Sequence, residues 1–297
     1  MFNKNVMGNL GTGSQLFFLF FTSFAGLIGC LFLVAALGNI IDISAVDQDK
    51  WLLFQRLSQF LSTVCILLCT YMFYSNPKQN LKLEKSPSLI TGCLILLLVI
   101  AIQPIVALMS EWNKELIPES MTWIHEIEKS ASLIIEKFIA DKTIIGIASN
   151  LFIIAILAGI GEELFFRGCM QQMIGKIAKN DHLAIWITAI IFSTIHFQFY
   201  GFFPRILLGA LLGYLFVWSR NLWVPIIAHT LHNALNVAAM QYYYGTPQYD
   251  NLENINVADY WWLVLISIPI TGYILYALYR STKKTIRDNT MDSSATE

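Results

Sequence analysis

Long apolar stretches separated by short polar loops dominate the chain. A helix needs about 20 mainly apolar residues to cross the hydrocarbon core of a bilayer. The pattern therefore predicts an all-α polytopic membrane protein with about eight transmembrane helices, of which the fifth and sixth are short and closely spaced. The predicted spans lie near Leu16–Ile41, Trp51–Tyr74, Leu89–Met109, Ile144–Phe166, Leu183–Phe199, Phe203–Ser219, Leu222–Met240 and Tyr260–Tyr279.

Composition supports the same fold class. Hydrophobic residues make up 56% of the 297 positions and charged residues only 13%, which is too apolar for an ordinary soluble domain. The formal net charge is −1 and no basic run suggests nucleic-acid binding. The lipid bilayer is therefore the partner that composition predicts, and the oligomeric state is left open.

Basic residues mark the loops that are predicted to face the cytoplasm. Lysine and arginine concentrate in cytoplasmic loops of membrane proteins, and here they follow the second, fourth, sixth and eighth predicted helices. This spacing places both termini in the cytoplasm, with Arg205 in a very short loop as the exception. The short loops indicate a bacterial inner (plasma) membrane. The basic residues are Lys78, Lys82, Lys85, Lys176, Lys179, Arg220, Arg280, Lys283, Lys284 and Arg287.

The hydropathy pattern divides the chain into five parts. Residues 1–112 form an N-terminal three-helix membrane region, and residues 113–142 form an amphipathic segment with apolar residues at near-helical spacing. Residues 143–241 contain the polar motifs described below. Residues 242–280 form a loop and the last membrane helix, and residues 281–297 form a polar tail that is predicted to be disordered. The amphipathic segment is predicted to lie on the membrane surface or cap a cavity, with a solvated helical linker as the alternative.

Charged side chains follow the apolar run of the fourth predicted helix. Ionisable groups at membrane depth are expensive and usually mark function. Glu163 and Arg167 are spaced i,i+4 in the order that favours an ion pair, whereas Glu162 lies about 100° away around the helix. We therefore expect one carboxylate to be paired and the other to be available as a general base. A purely structural Glu–Arg pair between helices is the alternative.

A polar stripe follows on the later helices. His196 lies at the end of the fifth predicted helix, and His229, His232, Asn233 and Asn236 share one face of the seventh. Lipid cannot satisfy these groups, so the face must point toward other polar groups or water. We expect it to meet His196 and the glutamates in one intramembrane cavity. Polar contacts that only hold the helices together are the alternative.

The three motifs, in this order on successive helices, resemble the CPBP family of CAAX proteases and bacteriocin-processing enzymes, also called the Abi family. The motifs are Glu-Glu-x-x-x-Arg, Phe-x-x-x-His and His-x-x-x-Asn. The resemblance extends over roughly Ile144 to Met240, a third of the chain, and the first three helices lie outside it. It implies a catalytic core in helices 4–7.

What the resemblance implies is a glutamate-dependent intramembrane endopeptidase. Glu162 would activate a water molecule, and His196 would assist it. His229 and Asn233 would polarise the scissile carbonyl and stabilise the oxyanion. This division of roles agrees with the chemistry of the residues, because a carboxylate can take a proton from water while preorganised donors meet the charge on oxygen.

The remaining motif residues have supporting roles in this reading. Glu163 and Arg167 would shape the site. His232 and Asn236 also satisfy His-x-x-x-Asn and are secondary candidates. The preceding Pro-Ile-Ile-Ala sequence favours the first pair, His229 and Asn233, for the catalytic role.

Other functions stay open at this stage. Glu162, His196 and His229 could supply the three ligands of a catalytic zinc site, although the resemblance implies no metal and no other cofactor. Intramembrane Glu, His and Arg also serve as relays in ion-coupled or proton-coupled transporters. A bacteriocin self-immunity protein or a scaffold without proteolytic activity is a further alternative. The predicted substrate is a membrane-associated peptide or protein, and its lipidation is left open.

Overall fold

The computed structural model is built from helices. It describes residues 10–40, 48–72, 74, 76–247, 249 and 257–294, and contains no strand among them. The seventh helix below is continuous but changes locally between α-helical and π-helical geometry. The helices are α1 Thr12–Ile40, α2 Gln48–Met72, α3 Pro77–Asn80, α4 Leu89–Ala101, α5 Gln103–Glu115, α6 Thr122–Ala140, α7 Ile144–Ala178, α8 Asp181–Thr194, α9 Phe202–Ser219, α10 Trp223–Tyr243 and α11 Trp261–Ser294.

Six stretches of the described residues are long and apolar enough to cross a membrane. The all-α polytopic membrane fold is thereby confirmed, whereas the count of eight spans stays a prediction. Of the two other predicted spans, α8 has only 14 residues, and α10 carries the polar stripe that lowers its hydropathy. The six stretches are Thr12–Cys30, Leu52–Thr70, Leu89–Glu115, Ile144–Ala178, Phe202–Ser219 and Trp261–Lys283.

Side-chain caps set the starts of several helices. Oγ of Ser88 accepts a hydrogen bond from the Thr91 N–H (3.2 Å) and begins α4. The Asn180 side chain accepts from the Leu183 N–H (3.1 Å) and begins α8. Such caps satisfy backbone donors that the first helical turn leaves without partners. Helix α4 gives way to α5 at Ile102, just before a proline in the first turn of α5.

The predicted amphipathic segment 113–142 contains helix α6. Ile124, Phe138 and Ile139 of this helix are buried, so its apolar face turns toward the protein. Its C-terminal end is held by Asp141, which forms an ion pair with Arg56 of α2 at 2.9 Å. Helix α6 therefore lies against the membrane helices.

The C-terminal part of the chain differs from the prediction. The structure continues α11 through Ser294, whereas a disordered tail is predicted from residue 281. No proline or glycine lies between residue 281 and Ser294, and these are the residues that most strongly interrupt a helix. Residues 295–297 of this tail, and residues 248 and 250–256 of the predicted 242–280 loop, lie outside the described residues.

Helix α7 lies at the centre of the bundle. Every residue from Leu164 to Gln171 is buried. Phe166 packs edge-on against Phe192 of α8, with ring centroids 5.0 Å apart. Close approach of α7 to α10 depends on Gly159, since a Cβ there would lie only 2.6 Å from Oγ1 of Thr230. These contacts fix the polar residues of α7, α8 and α10 relative to one another.

Candidate active site

The two glutamates end a short α-helical turn between two π-helical segments of α7. The turn spans Ala158–Glu163, and the π-helical segments are Leu151–Leu157 and Leu164–Gln171. In π-helical geometry the hydrogen bonds run from i to i+5, and such segments occur frequently at functional sites. This changed spacing alters which side chains share a face of α7 on either side of the glutamates.

Glu163 is fully buried and its charge is compensated. Oε1 of Glu163 accepts a hydrogen bond from Nη1 of Arg167 at 2.5 Å, and both side chains are inaccessible to solvent. Nη2 of Arg167 donates to the Gly209 carbonyl of α9 at 2.7 Å. The guanidinium also lies over the Phe192 ring, 5.2 Å from its centroid. Glu163 and Arg167 therefore join α7 to α8 and α9.

Glu162, in contrast, lines a cavity of about 730 Å³. Its side chain is 27% exposed, compared with 0% for Glu163. Oε2 of Glu162 lies 3.8 Å from Nε2 of His229, which is too far for a direct hydrogen bond, so the carboxylate stays available to a molecule in the cavity. Of the two carboxylates, Glu162 is the one that can exchange a proton with a bound molecule.

His229 lies between the two carboxylates. Its Nδ1 donates to Oε1 of Glu163 at 2.8 Å, because an ionised carboxylate can only accept. This bond fixes the ring and directs Nε2 toward Glu162 and the cavity. Since Nδ1 carries a proton, Nε2 is an acceptor in the neutral ring and a donor in the imidazolium form.

His196 follows the last turn of α8 and is oriented by its own helix. Its Nδ1 donates to the Phe192 carbonyl at 2.6 Å, which leaves Nε2 as the free acceptor of the neutral ring. The Phe192 ring packs against His196 at a centroid distance of 4.9 Å. The next residue, Phe197, has a positive φ of 51°, so the chain turns away from the helix directly after this histidine.

Asn233 lies one turn beyond His229 on α10. Its Nδ2 donates to the Ile154 carbonyl at 3.3 Å, inside the first π-helical segment of α7. The amide has two N–H donors, so one stays available to a molecule in the cavity. Asn233 also lines this cavity.

The second pair, His232 and Asn236, lines the same cavity but is engaged in a separate network. Nδ2 of Asn236 contacts Nε2 of His232 at 3.0 Å, and Nε2 of Gln103 contacts Nδ1 of His232 at 3.2 Å. Each ring nitrogen of His232 thus lies within hydrogen-bonding distance of an amide nitrogen, and the unprotonated one can accept. The pair connects α10 to α5, whereas His229 and Asn233 connect α10 to α7.

The cavity has a volume of about 730 Å³, and its lining includes Glu162, His196, His229, His232, Asn233 and Asn236. The motif residues reach it from α7, from the end of α8 and from α10, and further polar residues line it from other helices: Ser58, Gln59, Ser62, Thr63, Ser110 and Arg205. Apolar side chains form much of the remaining wall, so the cavity can hold an extended apolar group beside the polar cluster. The apolar lining includes Leu98, Val99, Ile134, Ile135, Phe138, Ile139, Leu208, Leu211 and Leu212.

Several residues in and around this cavity were not predicted from the sequence. Arg205 lines it and donates to Oε1 of Gln198 at 2.9 Å and to the Gln198 carbonyl at 3.1 Å. Its exceptional position in the charge pattern was the available signal. Gln103, which contacts His232 at 3.2 Å, had no comparable signal, because an isolated glutamine in a predicted membrane helix has many structural uses.

Histidine and carboxylate side chains are also metal ligands. Within the described ranges, no group of three or more His, Cys, Asp or Glu residues is arranged to hold a metal ion. The expectation that the protein works without a metal stays a prediction.

Comparisons with known proteins agree with the motifs. Residues 145–235 match the family model described as "Type II CAAX prenyl endopeptidase Rce1-like". The chain is also similar to the "Uncharacterized protein YpbD" of Bacillus subtilis (strain 168), with 28% identity over 90 residues. That alignment covers 29% of this chain and 43% of the relative, so it spans less than half of each. No solved structure matches significantly. The match over residues 145–235 confirms the family resemblance that the three motifs predict.

Proposed function

We propose that this protein, whose residues 145–235 resemble type II CAAX prenyl endopeptidases, is an intramembrane endopeptidase that hydrolyses a membrane-associated peptide with water activated by Glu162. The observation that carries the proposal is the different environment of two adjacent carboxylates. Glu163 is buried and paired with Arg167, whereas Glu162 lines the cavity beside His196 and His229.

In the proposed reaction, Glu162 takes a proton from a water molecule in the cavity. The water oxygen forms a bond to the scissile carbonyl carbon, and the carbonyl oxygen becomes an oxyanion. Nε2 of His196 is a free acceptor and orients the same water. When the carbon–nitrogen bond breaks, the proton held by Glu162 passes to the leaving amine, and the new carboxyl group keeps the water oxygen.

The oxyanion would be met by His229 and Asn233. The second N–H of the Asn233 amide is available, and Nε2 of His229 donates when the ring is an imidazolium. Glu163 acts as a positioning residue, since it holds Nδ1 of His229 at 2.8 Å. Preorganised donors of this kind are typically the largest single contribution to catalysis of acyl transfer.

The shape of the cavity favours a substrate that is close to lipid. A volume of about 730 Å³ with an apolar wall beside the polar cluster suits a peptide that carries an apolar side chain or a lipid group. The family description names prenylated CAAX substrates. We extend only the lipid-proximal location to this chain and leave the lipid group to experiment.

The proposal is tested with a library of quenched membrane-anchored peptides, both lipidated and unlipidated, in the presence of a chelator. Wild-type protein is compared with Glu162→Gln and with Glu126→Gln, a matched change at an exposed glutamate of α6. We expect wild type and Glu126→Gln to cleave the same peptides and Glu162→Gln to cleave none. Equal cleavage by Glu162→Gln would refute the proposal. A scaffold or immunity protein would bind its partner equally well in all three forms.

A further inference from the structure

A second, smaller cavity lies at the opposite end of α9 from Arg205 and the proposed active site. Its volume is about 280 Å³, and it is formed where the loop after α3, the C-terminal part of α7, the start of α8 and the end of α9 meet. Helix α9 has 18 residues and is about 27 Å long. The lining of the larger cavity reaches Leu212 on this helix and that of the smaller one begins at Phe216, so the two linings are about 6 Å apart along its axis.

Positive charge dominates the smaller cavity. Lys82, Lys176 and Arg220 line it, together with one acid, Asp181. None of the three cations takes part in an ion pair among the described residues. Three positive charges and one carboxylate leave the cavity with an excess of positive charge, which favours an anionic ligand.

A buried hydrogen-bond acceptor at the same cavity indicates what else a ligand should offer. Gln171 lines the same cavity and is only 4% exposed. Its Nε2 donates to the Gly213 carbonyl at 3.2 Å, but its Oε1 has no hydrogen-bond partner. An unsatisfied buried acceptor is unfavourable, and Oε1 is inaccessible in the present side-chain position. A ligand that offers a donor beside its negative charge would complete the site once the Gln171 side chain turns Oε1 toward the cavity.

The cations are held on a fixed backbone. The Lys82 carbonyl accepts a hydrogen bond from the Leu222 N–H at 3.0 Å. Nδ2 of Asn221 donates to the Lys85 carbonyl at 2.7 Å. These bonds join the loop after α3 to the segment that follows Arg220, so Lys82 and Arg220 are positioned before any ligand binds. Such preorganisation lowers the entropy that binding must overcome.

Exposed apolar residues lie close to the lining residues Lys176 and Asp181 in the chain. Ile177 and Leu183, on either side of the turn between α7 and α8, are 54% and 49% exposed. The charge pattern of the loops predicts that this end of the bundle faces the cytoplasm. Basic pockets between membrane helices on the cytoplasmic side are known to bind anionic lipid headgroups.

We propose that this cavity binds the headgroup of an anionic phospholipid that combines a phosphodiester with a hydroxyl group, as phosphatidylglycerol does. Lys82, Lys176 and Arg220 bind the phosphate oxygens, and Oε1 of Gln171 accepts the hydroxyl hydrogen. The acyl chains extend along the exposed apolar surface beside Ile177 and Leu183. The site would anchor the end of the bundle opposite the proposed active site.

The test measures how much phosphatidylglycerol and phosphatidylcholine the purified full-length protein retains, by native mass spectrometry from mixed-lipid nanodiscs. The site variant combines Lys82→Gln, Lys176→Gln and Arg220→Gln. The matched control combines Lys78→Gln, Lys85→Gln and Arg280→Gln, which remove the same charge from the same predicted side. Unfolding temperatures establish that both variants are folded.

We expect the wild type and the control to retain phosphatidylglycerol in preference to phosphatidylcholine. The site variant should retain at least about tenfold less phosphatidylglycerol than the wild type. Equal losses in both variants, or no preference in the wild type, would overturn the proposal. Displacement of the lipid by millimolar inorganic phosphate would also overturn it, since the site would then bind a free phosphate ion.

The role of Gln171 has its own comparison. Phosphatidylmethanol has the same phosphodiester charge but no headgroup hydroxyl. The wild type should retain phosphatidylglycerol in preference to phosphatidylmethanol, and Gln171→Leu should remove that preference. Equal retention of the two lipids by the wild type would refute the proposed hydroxyl contact.

Discussion

At the scale of single residues, the proposed function depends on two neighbouring glutamates with the same chemistry and different surroundings. Glu163 is held by Arg167 and His229 in a site with no solvent access. Glu162 faces the cavity. Stability is therefore expected to depend on Glu163, and hydrolysis on Glu162.

Removal of the buried negative charge should destabilise the protein. Glu163→Gln leaves the guanidinium of Arg167 buried without a counter-charge, which typically costs about 3–5 kcal/mol. We expect a clearly lower unfolding temperature in detergent for this variant. The double variant Glu163→Gln/Arg167→Met removes both charges and should recover part of the loss. An unfolding temperature of Glu163→Gln equal to that of wild type would contradict the structural role.

The two asparagines of α10 should differ in their effect on turnover. Asn233→Ala removes a proposed oxyanion donor, so kcat should fall about 100-fold to 1,000-fold. Asn236→Ala removes a group that is bonded to His232 and should change kcat much less. Steady-state kinetics on one cleaved peptide decide the matter, and the reverse order of effects would assign the oxyanion role to the second pair.

At the scale of elements, close packing of α7 against α10 sets the distance between Glu162 and His229. Gly159 makes this contact possible, because a Cβ at this position would lie 3.1 Å from the Thr230 backbone nitrogen. Thr230 directly follows His229 in the chain. A larger side chain at residue 159 would therefore displace a proposed catalytic residue.

Gly159→Val is expected to destabilise the protein by about 1–3 kcal/mol through overpacking and to lower kcat more than it raises KM. The matched change Gly92→Val introduces the same side chain into α4, where no heavy atom lies within 4 Å of the added Cβ. It should leave kcat unchanged. Thermal unfolding and peptide kinetics of the two variants provide the comparison, and equal effects would argue against a special contact at Gly159.

The corner between α6 and α7 should respond to acid. The Thr143 hydroxyl donates to Asp141 at 2.6 Å, and this bond, supported by Arg56, lowers the pKa of Asp141 below its ordinary value of 3.8. Because the pKa of Asp141 is lower in the folded than in the unfolded protein, its ionised form stabilises the fold at any pH above the ordinary pKa. This stabilisation is lost as the pH falls through the pKa of the folded protein.

Wild-type stability should therefore decrease more steeply below about pH 4 than that of Asp141→Asn, which has no carboxylate to titrate at this corner. Unfolding temperatures between pH 3 and pH 6 in a stable detergent measure the difference. Parallel curves for the two proteins would show that Asp141 contributes nothing to the acid response.

How far the sequence determines the site can be judged from particular residues. The polar side chains of α7, α8 and α10 were predicted to converge because lipid cannot satisfy them, and the structure brings them together. The i,i+4 spacing also predicted the pair of Glu163 with Arg167. The π-helical segments and the contact between Gln103 and His232 could not be predicted from the sequence, because they depend on tertiary packing rather than on local pattern.

At the scale of the whole molecule, the predicted orientation places the basic cavity at the cytoplasmic side and the 195–201 loop at the other. Arg205 follows this second loop and is the exception to the rule that basic residues face the cytoplasm. Its position in the cavity wall gives it a local role that accounts for this exception. The orientation itself stays a prediction.

Labelling of introduced cysteines in intact cells tests this orientation. In a background without the five native cysteines, Glu119→Cys should react with a membrane-impermeant maleimide, and Lys85→Cys should react only after the cells are opened. Both native side chains are exposed, so access to the reagent is the variable. The opposite pattern would invert the topology.

The central claim is that Glu162 acts in hydrolysis and not in binding. The most direct measurement follows binding and cleavage of one membrane-anchored peptide by wild type and Glu162→Gln in the same liposomes. The account predicts an equal Kd for the two proteins and cleavage by the wild type alone. Cleavage by Glu162→Gln at the wild-type rate would contradict it.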